Sequence, residues 1–188
     1  MRKQLSLLLG GAAMAVAILV AGNTAALAAT PAPTVKSGGI EVAFVQSGSS
    51  TYKDTTSGNT LTCTGGSALV NPAATITAFS QSGCTGPLGI SAMLTADGLP
   101  WAMNATSVAG GVTKGTITGI TVAVSGPLCM ATLTGTVDIS YTNSTSTAVI
   151  SPDGNLLTVK SGASCLGIIV NGDVIDFNST WVETSVIT

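Results

Sequence analysis

The sequence predicts an all-β fold: a single antiparallel β-sandwich or barrel of about ten short strands, preceded by an N-terminal signal helix. Three observations carry this. From Ala131 to Tyr141 the odd positions are mostly apolar (Ala131, Leu133, Val137, Ile139, Tyr141) and the even ones polar (Thr132, Thr134, Thr136, Asp138, Ser140), the period of a half-buried strand. The pairs Asp97-Gly98, Asp153-Gly154 and Asn171-Gly172 fall between such segments and supply residues that tolerate positive φ at hairpin turns. Beyond the leader, no stretch has helical periodicity or a run of helix formers long enough to propagate a helix.

The elements follow in order. Arg2 and Lys3 precede an apolar stretch from Leu5 to about Ala21, and Ala26-Leu27-Ala28 follows as a small-residue cleavage series, so residues 1–28 read as a secretory signal peptide. Residues 29–38, with Pro31 and Pro33, read as an extended arm, and 39–188 as one disulfide-stabilised β domain. Strands are expected at 40–45, 60–63, 74–79, 89–94, 99–105, 112–124, 131–141, 147–150, 156–160, 167–170, 173–177 and 180–187. Within 112–124 the apolar positions change parity, Ile117 being odd while Ile120, Val122 and Val124 are even. That places a β-bulge near Gly119.

Composition narrows the chemistry. Only 7% of the 188 residues are charged and none is histidine. Removal of residues 1–28 leaves Lys36, Lys53, Lys114 and Lys160 against eight carboxylates and no arginine, a net charge of −4 in place of −2. Nucleic acid is bound by clustered Lys and Arg, and four scattered lysines make no such patch. The exported chain has no apolar C-terminal span, so no stable membrane insertion is expected after cleavage.

All four cysteines lie in the exported part, where oxidising conditions favour disulfides. Of three pairings, Cys63–Cys84 with Cys129–Cys165 closes two local loops and gives each half of the chain its own cross-link. With no histidine and no Cys-x-x-Cys, no zinc site is expected.

A catalytic reading finds little to stand on. Ser50-x-x-Lys53, Tyr141-Thr142-Asn143 and Lys160-Ser161-Gly162 follow the order of the serine β-lactamase motifs, but Ser50 sits in Gly48-Ser49-Ser50-Thr51, a loop composition rather than a helix start. Without histidine no Ser-His or Cys-His pair can form. No catalytic residue, metal ligand or cofactor is therefore assigned. Trp101 and Trp181 are the candidate ligand contacts: Trp101 alternates with apolar neighbours and reads as core, whereas Trp181 could stack on a sugar or flat apolar ligand if exposed.

Cys63, Ser82-Gly83-Cys84-Thr85-Gly86-Pro87, Gly98-Leu99-Pro100-Trp101, Gly115-Thr116-Ile117-Thr118-Gly119-Ile120, Cys129, Leu133-Thr134-Gly135, Cys165-x-Gly167 and Asn171-Gly172-Asp173 together resemble small secreted actinobacterial proteins of unknown function. More distantly, they resemble the secreted proteins called activators of alkane oxidation. These motifs are turns, cysteines and strand residues, so they carry over a fold and no catalytic position. The more distant resemblance implies a surface-active or hydrocarbon-contacting extracellular protein. The expectation is a secreted, non-catalytic β-protein that binds an envelope component, a glycan or an apolar ligand at or outside the cell envelope. The alternatives are a carboxylate-dependent extracellular hydrolase or a carrier of an apolar ligand; nothing in the sequence sets the oligomeric state.

Overall fold

A computed structural model describes residues 41–151 and 154–187 of the chain, with side chains as far as Thr184. The predicted signal peptide 1–28 and arm 29–38 lie outside the described residues, as does Asp153. The described chain is built from twelve strands: β1 (Glu41–Gln46), β2 (Ser50–Asp54), β3 (Thr60–Cys63), β4 (Gly65–Val70), β5 (Thr75–Thr85), β6 (Ser91–Ala96), β7 (Trp101–Ala109), β8 (Val112–Gly126), β9 (Cys129–Thr142), β10 (Thr147–Ile150), β11 (Leu156–Val159) and β12 (Val174–Ile187).

Their pairing reduces to eight staves of one closed antiparallel barrel. β1 and β2 both pair with β12, β1 through Gln46↔Trp181 and β2 through Thr51↔Asn178, so they are two lengths of one stave separated by a bend. In the same way β3 and β4 share the neighbours β2/β1 and β5. β6 and β7 share β5 and β8, and β10 and β11 share β9 and β12. Each stave neighbours the next in chain order, and β12 closes on the first, giving an up-and-down barrel and choosing barrel over sandwich.

Alternation along each stave sends one set of side chains inward. Leu94, Leu133, Leu157, Val122, Val137, Val159 and Ile175 are fully buried there. β8 and β9 pair from Val112↔Thr142 to Gly126↔Cys129, and their register shifts between Ile117 and Ile120, where Gly119 takes φ +75°. This is the bulge that the parity change predicts.

Four expectations need correction. Ser50 is no loop residue: it opens β2, points inward and is fully buried. No strand was expected at 65–70, yet β4 lies there. Residues 167–170 form no strand, because consecutive positive φ values at Leu166 and Gly167 (53° and 75°) turn the chain within the long connection between β11 and β12. Asp97-Gly98 does not reverse the chain either: with the cis Leu99-Pro100 bond it lies at the bend between β6 and β7 within one stave, as Gly154 (φ 89°) lies between β10 and β11. Asn171-Gly172 does stand in a connection between neighbouring staves.

The structure pairs Cys63 with Cys84 and Cys129 with Cys165, 21 and 36 residues apart. Loop closure of that size is worth about 3–4 kcal/mol each in the chain-entropy account.

Where staves cross closely, glycine is obligatory: a Cβ on Gly126 would stand 2.1 Å from the carbonyl oxygen of Ser91 on the neighbouring strand. Gly126→Ala is expected to lower stability by about 1–3 kcal/mol through forced strand separation; urea unfolding with unchanged slope would show it, and an unaltered midpoint would contradict it.

Candidate functional site

The up-and-down order sorts the connections to two ends. One end collects the connections after β2, β5, β8 and β11, and both disulfides lie toward it. The other carries the turns after β4, β7 and β9, together with Glu41 and the last residues of β12.

The disulfide end has an unusual surface. Three of its four connections, residues 86–90, 127–128 and 160–173, project a leucine into solvent: Leu88 is 84% exposed, Leu128 58% and Leu166 59%. Met93, Met130 and Val170 extend the same surface. Residues 86–92, 126–130 and 161–172 contain no charged side chain. The loops are also held together. Met130 and Ser164 exchange two backbone hydrogen bonds of 2.8 Å, Cys129–Cys165 joins the second loop to the third, and Pro87, Ile90, Ile168 and Ile169 pack around that bridge. The fourth connection, Thr55-Thr56-Ser57-Gly58-Asn59, is polar, and Asp54 organises it by accepting hydrogen bonds from the Thr56 N–H (2.8 Å) and the Ser57 hydroxyl.

Two of the leucines stand in a backbone region that L-residues avoid: Leu88 has φ 58° and Leu166 φ 53°. Left-handed backbone costs a non-glycine residue roughly 1–2 kcal/mol, and exposing a leucine forfeits its burial. Neither cost returns anything to folding, and such strain concentrates at functional positions. Each leucine lies next to or four residues from a half-cystine (Cys84, Cys129, Cys165), so the strained tips are pinned. Sequence reasoning missed this surface because it counts leucine as core. Its signal was the tripeptide Gly-Pro-Leu, present at 86–88 and again at 126–128.

The lumen is the second feature. Both tryptophans are buried and line a cavity of about 50 Å³ in the barrel interior, so the structure places Trp181 beside Trp101 within one lumen rather than on the surface. Phe79 packs between them, its ring centroid 5.2 Å from Trp101 and 5.7 Å from Trp181. Toward the disulfide end a polar cluster crosses the interior. The Tyr52 hydroxyl donates to Gln81 Oε1, Gln81 Nε2 donates to Ser50 Oγ (2.7 Å) and Gln46 Oε1 (2.9 Å), and the Ser50 and Ser179 hydroxyls share a 2.5 Å hydrogen bond. Gly66 makes room, since a Cβ there would lie 2.9 Å from Gln46, Gln81 and Trp181.

The side chains of the Asn171-Gly172-Asp173 turn and of Ser50 have structural duties. Asp173 accepts the Val170 N–H (2.7 Å) and Asn171 the Ala163 N–H (2.8 Å), so these side chains shape the third loop. Ser50 Oγ is committed to the lumen cluster. Among the described residues no His/Cys/Asp/Glu group is placed to hold a metal ion, and no helix is long and apolar enough to cross a membrane.

This is a closed, disulfide-pinned β-barrel with an apolar lumen and one apolar end. A family model described as alkane oxidation protein activator PraA/PraB-like matches residues 1–174. The chain belongs to that family, whose name denotes activation of alkane oxidation rather than catalysis of it. No curated protein and no solved structure matches the chain.

Backbone strain and the titrating groups have measurable consequences. Leu88→Gly relieves the left-handed backbone and is expected to raise unfolding free energy by about 1 kcal/mol, where leucine to glycine ordinarily destabilises; a lower urea midpoint would contradict the strain. Burial raises the Tyr52 phenol well above its ordinary value, and burial with the Glu183 carboxylate raises Tyr141. The folded state thus holds these protons more tightly, and stability is expected to fall as pH rises above about 10. For Asp54, burial acts upward, but hydrogen bonds donated by Ser57 and Thr56 outweigh it and its value is lowered; that contribution is lost as pH falls below about 4. With no histidine to titrate, a melting temperature steady from pH 6 to 9 is expected, and a step near pH 6.5 would refute it.

Proposed function

We propose that this protein acts outside the cell, after removal of residues 1–28, as a non-catalytic surface-active protein. In this reading it lodges its leucine-tipped barrel end in a hydrocarbon surface and so presents alkane for oxidation. The observation that carries it is the rim itself: three exposed leucines, two on strained backbone, on three loops whose tips carry no charged side chain and which the disulfides hold. An apolar phase recovers the burial that folding leaves unclaimed, on the order of 1.5–3 kcal/mol per fully buried leucine. Pinned loops lose little further entropy on contact. The family's name, tied to alkane oxidation, supports the same chemistry.

The fold also supports surface adsorption without spreading. A closed barrel has no free edge strand to pair with a neighbour, and the cross-links oppose unfolding at the interface. The turns of the other end, Asn71-Pro72-Ala73-Ala74, Gly110-Gly111 and Asn143-Ser144-Thr145-Ser146, are built from small residues and carry no leucine.

The test replaces all three leucines by asparagine, a residue that tolerates left-handed backbone. Adsorption to a hexadecane–water interface is expected to fall more than tenfold while the melting temperature holds or rises. Adsorption equal to wild type would overturn the proposal.

A further inference from the structure

The lumen suggests a site separate from the leucine rim. Toward the disulfide end a separate space of about 20 Å³, lined by Leu61, Ile90, Cys129, Cys165 and the isoleucines of the third loop, shares only Tyr52 with the central cavity. Toward the opposite end the interior is more continuous. Met103, Ile139 and Tyr141 face inward by alternation yet remain partly exposed, and with Phe44 and Ala148 they line a passage of about 30 Å³ running to Glu183. The passage shares Phe44, Met103, Ile139 and Ala148 with the central cavity, whose walls are almost wholly apolar. A dry apolar cavity with no hydrogen-bonding group to satisfy takes an apolar guest in preference to water. The narrow bore suits an unbranched chain, and the unbranched Met103 side chain at the mouth can adjust to it.

The rim of the mouth sets the head group. The Tyr141 hydroxyl donates to Glu183 Oε2 at 2.6 Å, a pair able to exchange hydrogen bonds with a neutral hydroxyl. Glu41 stands at the same end, its Oε1 accepting the Thr77 hydroxyl at 2.8 Å. Lys114, near this end, is exposed on the outer face of β8, between the inward Thr113 and Gly115. A carboxylate arriving at the mouth would meet like charge with no inward-facing lysine, among the described residues, to offset it.

We propose that the lumen is a binding site for one uncharged, unbranched alkyl chain, an alkane or a primary alkanol. The chain enters by the mouth at Tyr141 and Glu183, and a fatty-acid anion of the same length is rejected there.

The chain's two tryptophans both line the cavity, so their fluorescence reports occupancy directly. The purified protein is titrated at pH 8 with 1-octanol and with octanoate. A saturable change with octanol is expected, with octanoate at least tenfold weaker. Glu183→Gln should bring octanoate within about threefold of octanol, and Ala148→Leu, which fills the cavity, should weaken octanol at least tenfold with the far-ultraviolet circular dichroism unchanged. If Ala148→Leu does not fold, the octanol–octanoate comparison and Glu183→Gln decide. No saturable response to octanol, or equal binding of both probes by the wild type, would overturn the proposal. The triple leucine variant should bind octanol like wild type, so failure here and failure of the rim are separable.

Discussion

Closure of the sheet, where β12 pairs with β1 and β2, is the constraint on which the rest depends. A chain with 7% charged residues has few of the lysines and glutamates that normally blunt an exposed strand edge. It meets that hazard topologically, by leaving no edge. The seam joins the beginning of the described chain to its end, so it is the contact of greatest sequence separation and closes the longest loop. Ser50 and Ser179 meet across it, and Gln81 of β5, reaching over the interior, accepts from Tyr52 and donates to Ser50 of β2. Each member of this cluster has a partner, so the interior carries polar groups without orphaning them.

The same cluster explains what the sequence hid. β9 was legible because its inward face is apolar over eleven residues, and the bulge at Gly119 was legible because that face changed parity. β2 and β4 were not. The inward residues of β2 are Ser50, Tyr52 and Asp54, and β4 opens on Gly65-Gly66, so the hydrophobic period vanishes where the interior is polar or must stay empty. Turn chemistry misled in a related way. Asp97-Gly98 supplies positive φ, but here the backbone uses it to bend a stave rather than to reverse it. Only the pairing, in which β6 and β7 both join β5 and β8 rather than each other, distinguishes the two outcomes.

The candidate sites were legible in proportion to how far their residues depart from habit. Tryptophans attract attention wherever they stand, and both line the lumen. Exposed leucines attract none, since a sequence does not print backbone angles or solvent exposure. The surface at the disulfide end therefore emerged only when φ, exposure and the cysteine pairing were read together at Leu88, Leu128 and Leu166.

The meander also works as a sorting rule. Counting staves along the chain, every odd-numbered connection arrives at one pole and every even-numbered one at the other. Apolar tips written into alternate loops of a one-dimensional string thus become a molecule with two unlike poles, with no need for the loops to be neighbours in sequence. Adding or removing staves in pairs would preserve that polarity. Losing a single stave between the leucine loops would send every later loop to the opposite pole and scatter the leucines over both.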